Sequence, residues 1–501
     1  MLRSTKLFKL PKRNFFHTKV QTGGDPHDPR DLSHGDPPVF QPKVELNSLK
    51  RGSKGEFPLI QPNEVHDTLR KSMLVDGYNL VYDPKKSTGS YIHDAVTGKK
   101  FLDMFSFFAS AAVAHNHPKL SGPEFKAKIG EIAICNPANA DIYTVEMAQF
   151  VSTFNRVCMP DNFKHLFLIA GGSLAVENGL KVAFDWKTKK NLLKNKEISA
   201  SKVIHFKEAF HGRSAYSLSM TNTDPTKYKY FPIFNWPRII NPKMKFPFEG
   251  ENVSNTVFAE QMAIQNIEQI LQAQGDHVAA IILEPIQGEG GDSHFRPEFW
   301  KNLRRLSDKY DVLLIADEVQ SGFCLTGRMW AYQHMGPDPD IICFGKKSQV
   351  CGIICNNRID EIPNNVFIES SRINSTFGGN LTDMVRSQRI IEIIEEENLV
   401  ENARIMGEYL LQKLHQLSQE YPSMISNVRG KGLMCAFDLP NMELCKKLIN
   451  LAYENQLLII SCGTQSIRLR PLLDVSQSDI DKLIGILNNC LEDLIYGPGT
   501  Q

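Results

Sequence analysis

Short hydrophobic runs alternate with helical patterns through the middle of the chain. Runs of this kind, rich in Val, Ile, Leu and Phe, are typical of buried strands, and they lie at 166–170, 202–206, 278–283, 312–316 and 341–344. Between the third and fourth runs, Phe299, Leu303 and Leu306 share one face of a predicted helix over 296–310, near whose start lies Pro297. Alternating strands and helices predict an α/β fold with a mostly parallel sheet that is covered by helices on both faces.

The pattern changes after about residue 382. Two longer helical segments, 384–397 and 400–421, precede short apolar runs at 432–438 and 457–469. This order predicts a smaller α+β domain after a large α/β domain. The predicted boundaries are 62–110 for an N-terminal segment of the small domain, 111–381 for the large domain and 382–501 for the C-terminal part of the small domain.

The overall composition disfavours several classes of binding partner. The 501 residues carry a net charge of +1 at pH 7, which gives no field to attract nucleic acid or an anionic membrane. No apolar run approaches the roughly 20 residues that a membrane-spanning helix needs. The 10 cysteines contain no C-x-x-C pair and no spacing typical of a metal site. We therefore expect small-molecule partners, with no nucleic acid, membrane or metal.

The N-terminal segment 1–24 is basic, and no acidic residue precedes Asp25. Ser, Thr and Phe are interspersed among its basic residues, which are Arg3, Lys6, Lys9, Lys12, Arg13 and Lys19. This composition is typical of a mitochondrial transit peptide and predicts a location in the mitochondrial matrix; the alternative is a disordered basic tail on a cytoplasmic protein. Residues 25–61, rich in Pro, Gly, Asp and Lys without periodicity, are predicted to form a linker or surface arm.

Two of the predicted strands end in residues that can carry chemistry. Asp317 follows the run 312–316, and Lys346 follows the run 341–344. The carboxyl ends of parallel strands meet at one edge of a sheet, where such folds bind ligands. A Lys amine can form an imine with the aldehyde of pyridoxal 5'-phosphate, and an Asp carboxylate can keep the pyridine nitrogen protonated. The pair therefore predicts a pyridoxal-phosphate enzyme, with one helix connecting the two strands.

A hydrophobic strand that ends in Asp-Glu also resembles the strand that holds Mg²⁺ in a P-loop ATPase. That class needs the motif G-x-x-x-x-G-K-[ST] to bind phosphates. The Gly-Lys pairs at 98–99, 345–346 and 430–431 lack both the upstream glycine and the following Ser or Thr. The sequence therefore disfavours the ATPase interpretation.

Two predicted turns and one strand end carry residues that could bind the phosphate and the ring of the cofactor. Gly171, Gly172 and Ser173 open a predicted helix, whose N-terminal N–H groups and dipole favour a phosphate. Phe210, which follows another predicted strand, can stack on the pyridine ring. Gln320 lies just past Asp317 and can hydrogen-bond the phenolic oxygen of the ring. Without the Asp–Lys pair, the same residues would be interpreted as a tight turn and a core aromatic.

The chain resembles the fold-type-I aminotransferases of the ω-amino subgroup, the class-III family. The resemblance runs from about residue 62 to 494 and is carried by the segments 72–77, 102–105, 171–178, 209–214, 221–226, 284–291, 344–352 and 374–384. It implies a fold-type-I pyridoxal-phosphate fold. The runs 346–352 and 374–383 are similar to the enzymes that act on lysine, and differ from those that act on ornithine or 4-aminobutyrate.

The resemblance implies a ping-pong reaction. In it the ε-amino group of L-lysine passes to 2-oxoglutarate, giving 2-aminoadipate 6-semialdehyde and L-glutamate. Two alternatives stay open from the residues alone. One is another ω-amino acid:2-oxoglutarate aminotransferase, for ornithine or 4-aminobutyrate. The other is a pyridoxal-phosphate-fold protein that has lost catalysis and serves as a binding partner.

The resemblance also implies roles for individual residues. Lys346 would bond the cofactor, with its neighbour Lys347 as the rival assignment. Thr376 would reach the cofactor phosphate of the other subunit, which implies a homodimer with shared active sites. Arg213 and Asn374 would hold the distal carboxylate of the substrate.

A charge switch is the last feature that the resemblance implies. Arg468 would bind the α-carboxylate of glutamate and 2-oxoglutarate, because the planar guanidinium binds carboxylates in a bidentate manner. The same arginine, left unpaired, would draw the lysine α-carboxylate to the wrong place and favour α-transamination. Glu289 would neutralise Arg468 during the lysine half-reaction and swing away when 2-oxoglutarate binds.

Overall fold

A computed structural model of the chain describes residues 59–497. The helices in this range are α1 Val65–Arg70, α2 Ser106–Ala109, α3 Pro118–Ser121, α4 Pro123–Ala133, α5 Val145–Val157, α6 Gly172–Leu193, α7 Ala215–Met220, α8 Glu251–Gln274, α9 Pro297–Lys309, α10 Leu381–Glu396, α11 Leu399–Glu420, α12 Met442–Glu454 and α13 Gln477–Tyr496. All four residues of α2 have positive φ, so this element is a left-handed turn.

The strands within residues 59–497 form four sheets. In chain order they are β1 Tyr91–His93, β2 Lys100–Asp103, β3 Phe163–Ile169, β4 Lys202–Phe206, β5 Arg238–Ile239, β6 Val278–Leu283, β7 Ile286–Gln287, β8 Ser293–His294, β9 Leu313–Asp317, β10 Ile341–Phe344, β11 Cys351–Asn356, β12 Ser426–Lys431, β13 Met434–Asp438, β14 Leu457–Leu458, β15 Ile460–Cys462 and β16 Ser466–Leu469.

The largest sheet has seven strands in the order β3-β11-β10-β9-β6-β4-β5. Strands β10, β9, β6, β4 and β5 pair in parallel. Strand β11 pairs antiparallel with both β10 and β3. The predicted α/β class with a mostly parallel sheet is therefore confirmed.

Both faces of this sheet are covered, which explains why its strands read as continuous hydrophobic runs. Strand β6 is buried along its whole length. Successive residues of β9 face opposite layers: Leu314 packs in one hydrophobic cluster, whereas Leu313 and Ile315 pack in the other. Helix α9 contributes Leu303 to the first cluster, and helix α6 contributes Leu180 to the second.

The connection between β9 and β10 differs from the prediction. The helix expected there is wrong, because the chain between the two strands forms turns and a short 3₁₀ helix, Ala331–His334. Glycines and prolines break any helical pattern in this stretch, since both residue types disfavour a helix interior. They are Gly322, Gly327, Gly336, Pro337 and Pro339.

Several elements were not predicted from the sequence, strand β11 and helix α8 among them. Strand β11 contains few β-branched residues, and it forms because β10 and β3 offer backbone partners on both sides. Helix α8 is mostly polar, with few buried residues along its 24 positions, so it gave no clear apolar stripe.

Two of the remaining sheets lie in the end segments of the described chain, and the two-stranded sheet β7-β8 lies between β6 and α9. The first two have the orders β1-β2-β14 and β12-β13-β16-β15. Strand β14 pairs with β2, so the two ends of the chain share one sheet. The domain boundaries at 111 and 382 stay a prediction, and segments 1–24 and 25–58 lie outside the described residues. Among residues 59–497, no helix combines the length and apolar character required to cross a membrane.

Candidate active site

A cavity of about 770 Å³ opens where β9 and β10 end. Most of the residues predicted to form a site line it, namely Gly172, Ser173, Phe210, Arg213, Glu289, Asp317, Gln320 and Lys346. In the parallel register, Asp317 is paired with Cys343 of β10, three residues before Lys346. The two strand ends therefore bring the carboxylate and the amine to one edge of the sheet, as the Asp–Lys hypothesis requires.

The Asp317 carboxylate is buried and held by two donors. Its Oδ2 accepts a hydrogen bond from His211 Nδ1 at 2.7 Å, and its Oδ1 accepts one from the backbone N–H of Val319 at 3.1 Å. Burial alone would lower the pKa of His211, but the hydrogen bond and the charge of Asp317 raise it overall. Asp317 is thus fixed in place at the cavity, where a carboxylate favours a protonated nitrogen.

The two adjacent lysines have different surroundings. Lys346 lines the cavity, and its Nζ makes no hydrogen bond or ion pair with any residue in the range 59–497. Burial and the nearby charge of Arg468 lower the pKa of Lys346. Lys347 does not line the cavity; its Nζ donates to the backbone carbonyl of Ala111 at 2.7 Å, and burial lowers its pKa to about 7. The geometry favours Lys346 over Lys347 as the reactive amine.

The start of helix α6 forms one wall of the cavity. Gly171, the residue before the helix, has a φ of 104°, which glycine adopts without strain. The first backbone N–H groups of a helix have no intrahelical acceptor, so they can bind an anion. The Ser173 hydroxyl is already engaged, because it accepts hydrogen bonds from the N–H groups of Arg213 and Ser214, both at 3.1 Å. A side chain at Gly212 would collide with this hydroxyl.

Phe210 is positioned by a buried glutamate that the sequence reading left unassigned. Glu284 Oε1 accepts a hydrogen bond from the backbone N–H of Phe210 at 2.9 Å, and Oε2 accepts one from Gly288 at 3.1 Å. Burial raises the pKa of Glu284 to about 7. Glu284 therefore ties the loop after β4 to the loop after β6, and this holds the Phe210 ring at the cavity wall.

Glu289 and Arg468 form the pair that the charge-switch hypothesis requires. Arg468 Nη2 donates to Glu289 Oε2 at 2.7 Å. Burial opposes ionisation of Glu289, yet the charge of Arg468 and a hydrogen bond from Lys227 lower its pKa to about 2. Gln320 Oε1 accepts from Arg468 Nη1 at 3.3 Å and from Arg470 Nη2 at 3.1 Å. The Gln320 amide nitrogen has no hydrogen-bond partner in the described part of the chain, so it can donate to a ligand.

Three of the predicted residues do not line this cavity: Asn374, Thr376 and Arg468, the last of which is buried and contacts the lining residues Glu289 and Gln320. Asn374 and Thr376 are exposed and do not line it. Asn374 Oδ1 accepts from the adjacent backbone N–H of Ser375 at 2.7 Å. Arg213 does reach the rim, and its guanidinium makes no hydrogen bond or ion pair within residues 59–497. The pairing of Arg213 with Asn374 at one carboxylate is therefore not present within a single chain.

Sequence reasoning missed several residues that the fold brings to this site. His211, Glu284, Gln349, Cys351 and Asp383 line the cavity, and Lys227 contacts Glu289 from outside it. His211 and Glu284 stood inside motifs that were noticed, but their roles depend on hydrogen bonds to residues far along the chain. His211 and Asp317 are 106 positions apart. No local pattern signals such a contact.

Comparison with known proteins assigns the family. The model of the class-III aminotransferases matches residues 73–491. L-lysine-epsilon aminotransferase from Mycobacterium tuberculosis is 46% identical over 432 residues, which is 86% of this chain and 96% of that protein. The enzyme of the same name from Streptomyces clavuligerus is 44% identical over 447 residues, or 88% and 98%.

This chain is a class-III aminotransferase. Among solved structures, the lysine aminotransferase from M. tuberculosis in the internal aldimine form matches it with a TM-score of 0.84 and 45% identity, covering 86% of this chain and 99% of that one. The aminotransferase therefore has the fold-type-I architecture that the sequence predicted.

Class-III aminotransferases use pyridoxal 5'-phosphate, and the cavity of this aminotransferase fits that group. The fit rests on three observations: the unpartnered Nζ of Lys346, the buried carboxylate of Asp317, and the helix start at Gly172. Lys346 can bond the aldehyde, Asp317 can pair with the protonated pyridine nitrogen, and the N–H groups that begin at Gly172 can bind the phosphate.

The predicted mitochondrial location is wrong for this aminotransferase. Its relatives at 44–46% identity come from Mycobacterium and Streptomyces, which are bacteria and have no mitochondria. The basic composition of segment 1–24 suggested a transit peptide, but composition alone does not distinguish such a peptide from other basic segments. That segment lies outside the residues that the structure describes.

Proposed function

We propose that this enzyme transfers the ε-amino group of L-lysine to 2-oxoglutarate in a ping-pong reaction. The products are 2-aminoadipate 6-semialdehyde and L-glutamate. The observation that carries this proposal is the Glu289–Arg468 pair at 2.7 Å, in a chain that is 46% identical to a lysine aminotransferase. Because Glu289 neutralises Arg468, this arginine does not attract the carboxylate of lysine. Lysine can then bind with its distant ε-amino group at the cofactor.

When bound, pyridoxal phosphate supplies an aldehyde that bonds amines and a ring that accepts electrons. Lys346 would bond that aldehyde in the absence of substrate, and its amine would carry a proton away from the ε-carbon of lysine. Its lowered pKa supports this role, because a neutral amine can accept the proton. Asp317 holds a proton at the ring nitrogen, and His211 keeps the Asp317 carboxylate in position.

Further residues hold the cofactor without taking part in proton transfer. Gly172 and Ser173 bind the phosphate through the N–H groups at the start of α6. Ser173 uses its backbone for this, because its hydroxyl is occupied. Phe210 would stack on the ring, and the free amide nitrogen of Gln320 would donate to the ring oxygen.

The two half-reactions make opposite demands on Arg468. In the lysine half-reaction, Glu289 neutralises Arg468, so the lysine carboxylate binds the free guanidinium of Arg213 at the cavity rim. In the second half-reaction, Glu289 leaves, and Arg468 binds the α-carboxylate of 2-oxoglutarate. Arginine suits both tasks because its planar group binds carboxylates through two parallel hydrogen bonds.

We also propose a homodimer with shared active sites. Asn374 and Thr376 lie on an exposed segment outside the cavity of their own chain, where a second copy can receive them. The adjacent Phe377 is 46% exposed, and Tyr143 is 75% exposed, which suits a surface that packs against another protein. Light scattering tests this assembly: a mass of twice 56.6 kDa supports it, and a monomer at micromolar concentration contradicts it.

The reaction is tested by identifying products after incubation with lysine and 2-oxoglutarate. Mass spectrometry should find glutamate and the cyclised form of 2-aminoadipate 6-semialdehyde. Ornithine and 4-aminobutyrate serve as competitors in initial-rate assays. A higher kcat/KM with either competitor than with lysine would show that lysine is not the preferred substrate.

A further inference from the structure

The Glu289 carboxylate is held by a different cation on each side. Oε2 accepts from Arg468 Nη2 at 2.7 Å, and Oε1 accepts from Lys227 Nζ at 2.8 Å. Glu289 is 28% exposed at its side chain, whereas Arg468 is 3% exposed and Lys227 is 13% exposed. Because each cation contacts its own oxygen, Glu289 can lose Arg468 without losing Lys227.

Lys227 is itself fixed in place. It is the last residue of a 3₁₀ turn, Pro225–Lys227, that begins at Asp224. Its Nζ donates to Thr223 Oγ1 at 2.9 Å and lies 5.2 Å above the centre of the Phe210 ring. These contacts leave Nζ within reach of Glu289 while Arg468 changes partner.

We infer that Lys227 is a positioning residue that retains Glu289 when Arg468 turns to a dicarboxylate. The inference rests on the proposed function, since it concerns the second half-reaction. Lys227 thereby determines how readily one site accepts lysine and then 2-oxoglutarate. It acts through Glu289 and does not contact the reacting atoms.

The physical reason is the cost of an unpaired charge. An ionised carboxylate that leaves its partner in a partly buried site is destabilised unless it pairs with another cation. Lys227 is that cation. Without it, Glu289 stays on Arg468 and competes with the incoming carboxylate, so dicarboxylates bind more weakly. Lysine does not require Arg468, so its half-reaction is unaffected.

The first experiment compares Lys227→Met with Lys229→Met. Lys229 lies two residues further on, is exposed, and places its Nζ over the Tyr230 ring, away from Glu289. Calorimetric titration of the holoenzyme with glutarate, a dicarboxylate without a reactive carbonyl, reports affinity independently of turnover. Lys227→Met should weaken glutarate binding and raise the KM for 2-oxoglutarate about tenfold, with the KM for lysine within about twofold. Lys229→Met should match the unaltered enzyme, and Lys227→Arg should restore the affinity.

A second experiment separates an effect through Glu289 from direct attraction of the ligand. In a Glu289→Gln background, Arg468 is permanently unmasked, so adding Lys227→Met should no longer change glutarate affinity. A persistent tenfold loss in that background would overturn the inference, and so would unchanged affinity in the single variant. If the unaltered enzyme gives no semialdehyde from lysine, the proposed function fails; the glutarate affinities of the variants still decide the role of Lys227.

Discussion

The two ends of the cavity differ in how firmly their charges are held. At the cofactor end, Asp317 and His211 are almost fully buried and joined to each other at the edge of the sheet. At the substrate end, Glu289 is partly exposed and bridges two cations, Arg468 of strand β16 and Lys227 of a 3₁₀ turn. In the proposed reaction, the cofactor end keeps one charge arrangement throughout, whereas the substrate end adopts two. A fixed end and an adjustable end together allow one site to process two unlike substrates.

The largest effect is expected at the fixed end. Lys346→Ala removes the amine that bonds the cofactor and moves the proton, so kcat should fall by about 10³-fold or more. Lys347→Met is the matched control, because Lys347 points to the Ala111 carbonyl and away from the cavity. It should retain kcat within a few-fold. Equal losses in the two variants would show that the adjacent lysines are not distinguished as their geometry indicates.

A smaller loss of kcat is expected for Asp317→Asn. Asparagine keeps the shape but not the charge that holds a proton on the ring nitrogen, so kcat should fall by on the order of 10²- to 10³-fold. His211→Gln should cost less, about tenfold, because His211 acts only by positioning Asp317. The visible absorption of the bound cofactor, titrated against pH, checks the cause. An unchanged titration in Asp317→Asn would contradict the role given to this carboxylate.

At the adjustable end, Glu289→Gln tests the choice of amino group. The variant leaves Arg468 unmasked, so the lysine α-carboxylate should bind there and the ratio of ε- to α-amino transfer should fall about tenfold. The aldehyde from ε-transfer and the 2-keto acid from α-transfer are isomers, so chromatographic separation against standards distinguishes the two products. Glu298→Gln is the control, since Glu298 is exposed and lies outside the cavity. An unchanged ratio in Glu289→Gln would contradict the proposal that Glu289 acts as a charge switch on Arg468.

The smallest effect on catalysis, but a clear one on stability, is expected for Glu318→Gln. Burial raises the pKa of Glu318 from 4.5 to about 7, so the unfolded chain ionises this group at lower pH than the folded protein does. Its contribution to stability is therefore lost as pH rises from about 4.5 to 7. Glutamine can accept from the backbone N–H of Tyr332 with its oxygen and donate from its amide nitrogen to the Ser321 hydroxyl. The variant should match the parent near pH 4.5 and exceed it by about 3 kcal/mol at pH 8; equal unfolding curves at pH 8 would contradict this.

The fixed end was largely predictable from sequence. Asp317 and Lys346 each follow a hydrophobic run, and the parallel pairing of β9 with β10 places them together. The glycines before α6 likewise follow from local rules about turns and helix starts. These features depend on short segments whose pattern carries the information.

The adjustable end depends on contacts that no short segment encodes. Lys227 meets Glu289 across 62 positions, and Arg468 meets it across 179. Asn374 and Thr376 were named from a family resemblance, yet they lie outside the cavity of their own chain. The helix expected between β9 and β10 was replaced by turns, because glycines and prolines outweighed the usual strand–helix alternation.

The central claim is that Lys346 bonds the cofactor at the end of β10. Reduction of the holoenzyme with borohydride fixes that bond permanently, and peptide mapping by mass spectrometry then locates the tag. The account predicts a single pyridoxyl tag on Lys346, absent from Lys346→Ala and present in Lys347→Met. A tag on Lys347, or no tag in freshly purified enzyme, would contradict it.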